Sequence, residues 1–261
     1  GDVYKRQVYM KYTKDLKNQV AGINYDTLPM QSWMNAQSKY IKSLNDYDFN
    51  TALAYTVRSH QWIGPYMHTG KITHVRFTKP YGFIVPLFPQ VKKIIEEKKQ
   101  LSQLEESILR FGYSKYVEII DKIPKDLLKS ALDLYIKDLQ RIVKKAPPLP
   151  RTMVVYRGLS TDIFRGKLGT LHKLDAFAST SYVPQRAYAP NRYMRFKLLK
   201  GTRVLLLQCL NDWHYNGEFE VLLNLGSKYI IRKRNLQRRV TNNVTYGGDP
   251  ALKYVTDVTV F

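Results

Sequence analysis

A proline cluster near the middle of the chain sets the strongest limit on its architecture. At Ala146-Pro147-Pro148-Leu149-Pro150, three prolines fall within four residues. Each proline ring fixes φ and removes a backbone donor, so this stretch cannot continue a helix and favours an extended connector. The apolar period differs on its two sides. Upstream, between Asp126 and Lys145, Leu128, Leu132, Tyr135, Leu139 and Ile142 recur every three or four positions, with Lys129, Lys137 and Arg141 among the polar ones. That spacing predicts an amphipathic helix with one face on a core. Downstream, short β-branched or alternating runs punctuated by Gly, Asn and Asp predict strands over Met153 to Arg157, Tyr193 to Leu199, Thr202 to Gln208, Glu218 to Leu223, Lys228 to Lys233 and Tyr254 to Val260.

The rest of the first half also reads as helical. Trp33 to Leu44 is one such segment, followed by a run from Asn50 toward Trp62, with Gly64-Pro65 as its stop signal. Tyr81 to Pro89 reads as a Pro-rich apolar loop or short strand, and a second helical block begins near Gln90. The expected fold class is α+β, a helical N-terminal portion packed on a C-terminal β-sandwich-like half. Gly1 to Gln7 carry no pattern that continues into the residues after them, and Met10 is a plausible initiator. Residues 1–9 are therefore expected to be a non-native leader, and 10–261 a single domain, mainly helical over 10–146 and mainly β over 151–261. With 44% hydrophobic residues, such a domain can pack a core without staples. The single cysteine, Cys209, has no internal partner and lies in the apolar run Val204 to Leu210. It reads as a small buried hydrophobe rather than a nucleophile. No stretch approaches the roughly 20 apolar residues that span a bilayer, and no signal-peptide core is visible, so the expected place of action is cytoplasmic.

The formal net charge of +21 concerns partners rather than fold. Three readings fit it: a polyanion such as nucleic acid, an acidic protein partner, or a basic solvated surface around a site for a phosphate-bearing ligand.

Three segments carry candidate chemistry. In Tyr156-Arg157-Gly158-Leu159 an arginine at a strand end can present a bidentate fork to phosphate, and the glycine allows close backbone approach. A surface arginine would look the same in isolation. In Phe177-Ala178-Ser179-Thr180-Ser181, period-two geometry puts Phe177, Ser179 and Ser181 on one face, where hydroxyls can orient a carboxylate or simply pair across an edge strand. In Gly217-Glu218-Phe219-Glu220-Val221-Leu222-Leu223, two glutamates share one strand face while Phe219, Val221 and Leu223 face a core. Such a pair suits acid/base work or stabilisation of a positive transition state, or else forms a solvated strand face.

In this order and context, Arg-Gly at 157, Ser-Thr-Ser at 179 and Glu-x-Glu at 218 resemble the motifs of the Arg-Ser-Glu class of mono-ADP-ribosyltransferases, which includes the enzymatic components of clostridial binary toxins. The resemblance is sharp over Val154 to Ile231. Upstream, Ala54-Tyr55-Thr56 with Ser59 and Ile63 looks like the helix that flanks NAD in these enzymes, although Gly64 stands where the family often has Asn. The resemblance implies an ADP-ribosyltransferase-type core that uses NAD as substrate and no metal. It also implies that Arg157 holds an NAD phosphate while Gly158 contacts the nicotinamide carboxamide. Ser179, with Thr180 beside it, would orient Glu220, which would bond the 2′-hydroxyl of the nicotinamide ribose. Glu218 would engage the acceptor; in the family a glutamate there goes with arginine acceptors. A guanidinium needs a carboxylate to align it and help remove its proton.

Tyr188 can stack on nicotinamide and Arg192 can meet a phosphate from the loop that precedes Tyr193. The loop Asn211 to Gly217 carries Trp213 and Tyr215, which suit substrate recognition, and His214, which has no ligand-spaced partner for a metal. Arg232-Lys233-Arg234 with Arg238 and Arg239 either guides an acidic partner or nucleic acid, or protects a strand edge from pairing. The reading is a monomeric enzyme that modifies arginine on a target protein. The alternatives are NAD glycohydrolysis, transfer to nucleic acid, and a catalytically silent basic binding module.

Overall fold

The helical half forms because most of its segments carry an apolar stripe, and two of them open on a side-chain cap. In the computed structural model, which describes residues 30–56, 60–72, 87–159, 166–182, 192–210, 220–239 and 252–261, the first helix is α1, Gln31–Ser43. It buries Trp33, Met34, Gln37 and Ile41. In α2, Asp46–Ala54, the Asn45 side chain accepts from the backbone N–H of Asp48 at 2.8 Å, and acidic Asp46 and Asp48 occupy the first turn, where the helix dipole favours them. Then come α3, His60–Thr69, α4, Phe88–Glu96, α5, Gln103–Ile119, and α6, Lys125–Lys145. All five apolar positions named for α6 are buried, and the helix packs on α2, α4 and the sheet.

Gly64-Pro65 does not stop the helix as the sequence suggested; α3 runs through it to Thr69, with Pro65 inside. Pro65 is the sixth of the ten helical residues, so it removes one intrahelical hydrogen bond, while Ile63 and Tyr66 on either side are buried anchors. Packing outweighs the missing hydrogen bond. Residues 73–86 lie outside the described part, and Pro89, expected in a loop, sits in the first turn of α4.

α5 opens with a capping box: Ser102 Oγ accepts from Glu105 N, and Glu105 Oε2 accepts from Ser102 N at 2.9 Å. Burial pushes the Glu105 carboxyl up, but its bonds to Lys98 and Ser102 outweigh that and hold it below its ordinary range. Its stabilising contribution is therefore complete above the unfolded carboxylate's pKa and lost as pH falls through the lower folded value. Glu105→Gln is expected to cost about 1 kcal/mol at neutral pH and nothing at pH ~2, which paired urea titrations at the two pH values would check.

After the proline connector the chain turns to strands. They are β1, Met153–Leu159; β2, Leu171–Lys173; β3, Ala178–Ser181; β4, Arg192–Leu198; β5, Val204–Leu206; β6, Glu220–Leu223; β7, Lys228–Arg239; and β8, Leu252–Val260. β2 escaped the sequence reading because three residues give too short a run to show a period. The eight strands form one ladder in the order β2-β7-β8-β4-β1-β3-β6-β5. β4 and β8 run parallel and the other pairs antiparallel. The ladder narrows to one register pair, Tyr156↔Ser181, between β1 and β3. The predicted Thr202 to Gln208 strand is shorter, because the chain turns into a 3-10 helix, Leu207–Leu210; the Cys209 side chain lies outside the described part.

Candidate active site

The narrow β1/β3 junction brings the predicted motifs together. Arg157 comes from β1, Ser179 and Thr180 from β3, and Glu220 opens β6, which pairs with β3 in the register Ser181↔Glu220 and Ser179↔Leu222. Thr180 is buried and its hydroxyl donates to the Val221 carbonyl at 2.7 Å, a bond that pins β3 to β6. Ser179 Oγ donates to Glu220 Oε1, and Arg157 Nη1 donates to the Ser179 carbonyl at 3.2 Å. One serine thus touches both the cation and the carboxylate. The alternation foreseen for β6 does not hold, since Val221, Leu222 and Leu223 are all buried. A strand flanked by β3 and β5 and covered on both faces leaves no polar side for the interior residues.

Tyr55, just past α2, closes the site from the helical half. Its ring meets Phe177 edge-on, with centroids 6.1 Å apart at 71°. Burial pushes the Tyr55 hydroxyl well above its ordinary pKa; the charge of Glu220 adds to this and that of Arg157 opposes it. The same burial lowers the Arg157 guanidinium, against the opposing pull of Tyr55 and Glu220. These three groups therefore share one electrostatic field. Arg157 also lines a cavity of about 300 Å³, together with His68 from α3 and His172 and Lys173 from β2. Its hydrogen bond to Ser179 uses one of five guanidinium donors, so a half-buried fork faces a cavity walled also by His68, His172, Lys173 and Asp175. That arrangement fits a diphosphate, and the ordered Glu220 fits a ribose hydroxyl.

Sequence reasoning missed His68, His172 and Lys173. No local pattern marks them; they reach the cavity because α3 and β2 converge beside β1. Gly158 lies on β1 opposite Tyr193. Gly64 sits within α3 with open space where a side chain would project. Arg192 opens β4, its side chain outside the described part. Glu218, Tyr188, Trp213, His214 and Tyr215 also lie outside the described residues. Among the described residues there is no group of three or more His, Cys, Asp or Glu suited to a metal, and no helix long and apolar enough to cross a membrane.

The sequence profile described as ADP-ribosyltransferase exoenzyme matches residues 91–248. The chain belongs to the ADP-ribosyltransferase exoenzyme family. Members of this family transfer ADP-ribose from NAD, so the chain is a transferase with NAD as its substrate. Solved structures agree in fold. Plx2a, an ADP-ribosyltransferase toxin from Paenibacillus larvae, is 15% identical with a TM-score of 0.52, over 92% of this chain and 99% of that one. C3stau2 from S. aureus, solved with NAD, is 15% identical with a TM-score of 0.51, over 90% and 95%. BECa, the ADP-ribosylating toxin of a C. perfringens binary enterotoxin, solved with NADH, is 15% identical with a TM-score of 0.51; the match covers 92% of this chain and 50% of BECa. No curated protein sequence matches at a significant level.

Proposed function

We propose that this ADP-ribosyltransferase modifies arginine side chains of a target protein, with release of nicotinamide. The observation that carries the reading is the Ser179 hydroxyl donating to Glu220, with Arg157 bonded to the same serine's carbonyl. Arg157 holds an NAD phosphate and Gly158 positions the carboxamide. Glu220, kept in one rotamer by Ser179, accepts the 2′-hydroxyl of the nicotinamide ribose. As the glycosidic bond to nicotinamide breaks, positive charge grows on the ribose ring, and the Glu220 carboxylate stabilises it. Nicotinamide leaves with the bonding electron pair. A guanidinium nitrogen of the acceptor then bonds to the anomeric carbon, and its proton passes to Glu218, which also aligns the guanidinium. Tyr188 and Arg192 complete the NAD site, and Trp213 and Tyr215 contact the acceptor. In this reading residues 10–261 act as one monomeric catalytic domain in the cytoplasm of the target cell.

The role of Glu218 is open to a direct test. Glu218→Gln is expected to lower transfer to agmatine at least about tenfold while nicotinamide release in water continues, as separate assays of labelled agmatine and free nicotinamide would record. Equal loss of both would remove Glu218 from acceptor chemistry. The charge of +21 motivates a second reading, transfer to a nucleic-acid base. Label appearing on nucleic acid and not on agmatine would favour it.

A further inference from the structure

The strand that walls the Arg157 cavity presents an unusual outer face. Among the described residues β2 stands at the end of the strand order and pairs with β7 alone. On one face His172 lies against Tyr229, with ring centroids 5.4 Å apart, and lines the cavity that Arg157 shares. On the other face Leu171 stands opposite Ile230, and at the end of the strand Lys173, opposite Lys228, also borders the cavity. Leu171, 57% exposed, and Leu168 in the turn before it, 51% exposed, are the two most exposed large aliphatic side chains among the described residues. A single exposed leucine is ordinary; two on one short turn at an unpaired edge make a local apolar patch.

That turn is held rigidly. Thr170 Oγ1 donates to the Lys167 carbonyl at 2.8 Å, Gly169 N donates to the Ile231 carbonyl at 3.0 Å, and Arg234 Nη2 donates to the Gly166 carbonyl at 2.5 Å. Gly169 takes a left-handed φ of +76°, and a Cβ on Gly166 would come within 2.6 Å of His172 Nε2. The leucines are therefore displayed on a backbone that is already ordered, which lowers the entropy lost when a partner binds. Their surroundings are cationic. Lys167, Lys173 and Lys228 are exposed, and Lys173 faces Lys228 directly across the ladder, a like-charge pair that disfavours the sheet itself. The acid close by, Asp175, is paired with His68 at 3.4 Å on the cavity side.

We propose that the outer face of β2 and the turn 167–171 form the docking surface for the acceptor protein, seating Leu168 and Leu171 in an apolar depression rimmed by carboxylates. Three lysines choose an acidic rim, and the two leucines need an apolar floor. The partner is the acceptor rather than a bystander because the same strand bounds the cavity, so a protein held there sits at the cavity mouth. This rests on the reading of a protein acceptor.

The test is label transfer from NAD by the full chain, wild type against the Leu168→Asp/Leu171→Asp double variant, with agmatine and with the proteins of a cell lysate as acceptors. The expected result is unchanged agmatine transfer and unchanged KM for NAD, with labelling of the protein band reduced about tenfold or more. A second variant, Lys167→Glu/Lys228→Glu, is expected to raise the KM for the protein acceptor and flatten its salt dependence, again without effect on agmatine. Protein labelling that follows agmatine labelling in both variants would overturn the proposal. So would a wild type that modifies agmatine or nucleic acid but no protein. A wild type that labels protein but never agmatine would count against arginine chemistry alone, since the variants would still report on docking through the protein band.

Discussion

Replacing Glu220 with glutamine is expected to lower nicotinamide release by about a hundred- to a thousand-fold, with the fold intact. The amide keeps the volume of the carboxylate and still accepts the Ser179 hydroxyl, so the β3/β6 pairing and the Thr180 bond to Val221 are undisturbed. What disappears is one negative charge beside the developing ribosyl cation. Here the site amplifies the loss: Tyr55 is buried and Arg157 half-buried beside it, so charge interactions are less screened than at an open surface. The effect should fall on kcat more than on the KM for NAD, because the ground-state ribose is uncharged. Steady-state nicotinamide release at several NAD concentrations, with a thermal melt as control, would measure both. Near-normal kcat in a stably folded variant would mean that Glu220 is not the group facing the reacting ribose.

Gln37→Leu is expected to destabilise the domain by about 3 kcal/mol, a drop of roughly 6–12 °C in the melting midpoint for a chain of this size. β5 is the last strand of the ladder, so among the described residues one of its edges has no neighbouring strand. Gln37, fully buried on α1, takes the place of that neighbour: Nε2 donates to the Val204 carbonyl at 2.9 Å and Oε1 accepts from Leu206 N at 3.3 Å. The same amide reaches the Pro147 carbonyl at 3.1 Å, where Trp33 Nε1 also donates. Leucine would fill the space but leave two backbone groups of β5 buried without partners. Removing the partner of a buried polar group costs its full desolvation, which the added apolar contact does not offset. Urea denaturation with an unchanged slope would report the loss; a midpoint equal to wild type would show that water or a shifted backbone satisfies β5.

The contrast between these two residues shows how much was legible. Glu220 was visible because its chemistry needs residue types in a short pattern, and the period-two rule placed Ser179 on a face that could meet it. Gln37 was invisible because in the stripe Trp33, Met34, Gln37 and Ile41 it looks like an interruption. A polar residue on an apolar face acquires its meaning from groups far away in sequence, here Val204 and Leu206. His68 and His172 are hidden for the same reason. The stop at Gly64-Pro65 failed differently: local propensity was read correctly, but Ile63 and Tyr66 are buried in the core and carry α3 through it.

By itself the sequence determined the two-part architecture, the long amphipathic α6, most strand positions and the Arg157, Ser179 and Glu220 set, because each is written in a period or motif spanning a few residues. Tertiary structure alone decided the strand order, the single-pair junction that gathers β1, β3 and β6, and the lining of the cavity by His68, His172 and Lys173. Those depend on which distant segments pack together, and packing free energy is a property of contacts between segments that no local period encodes.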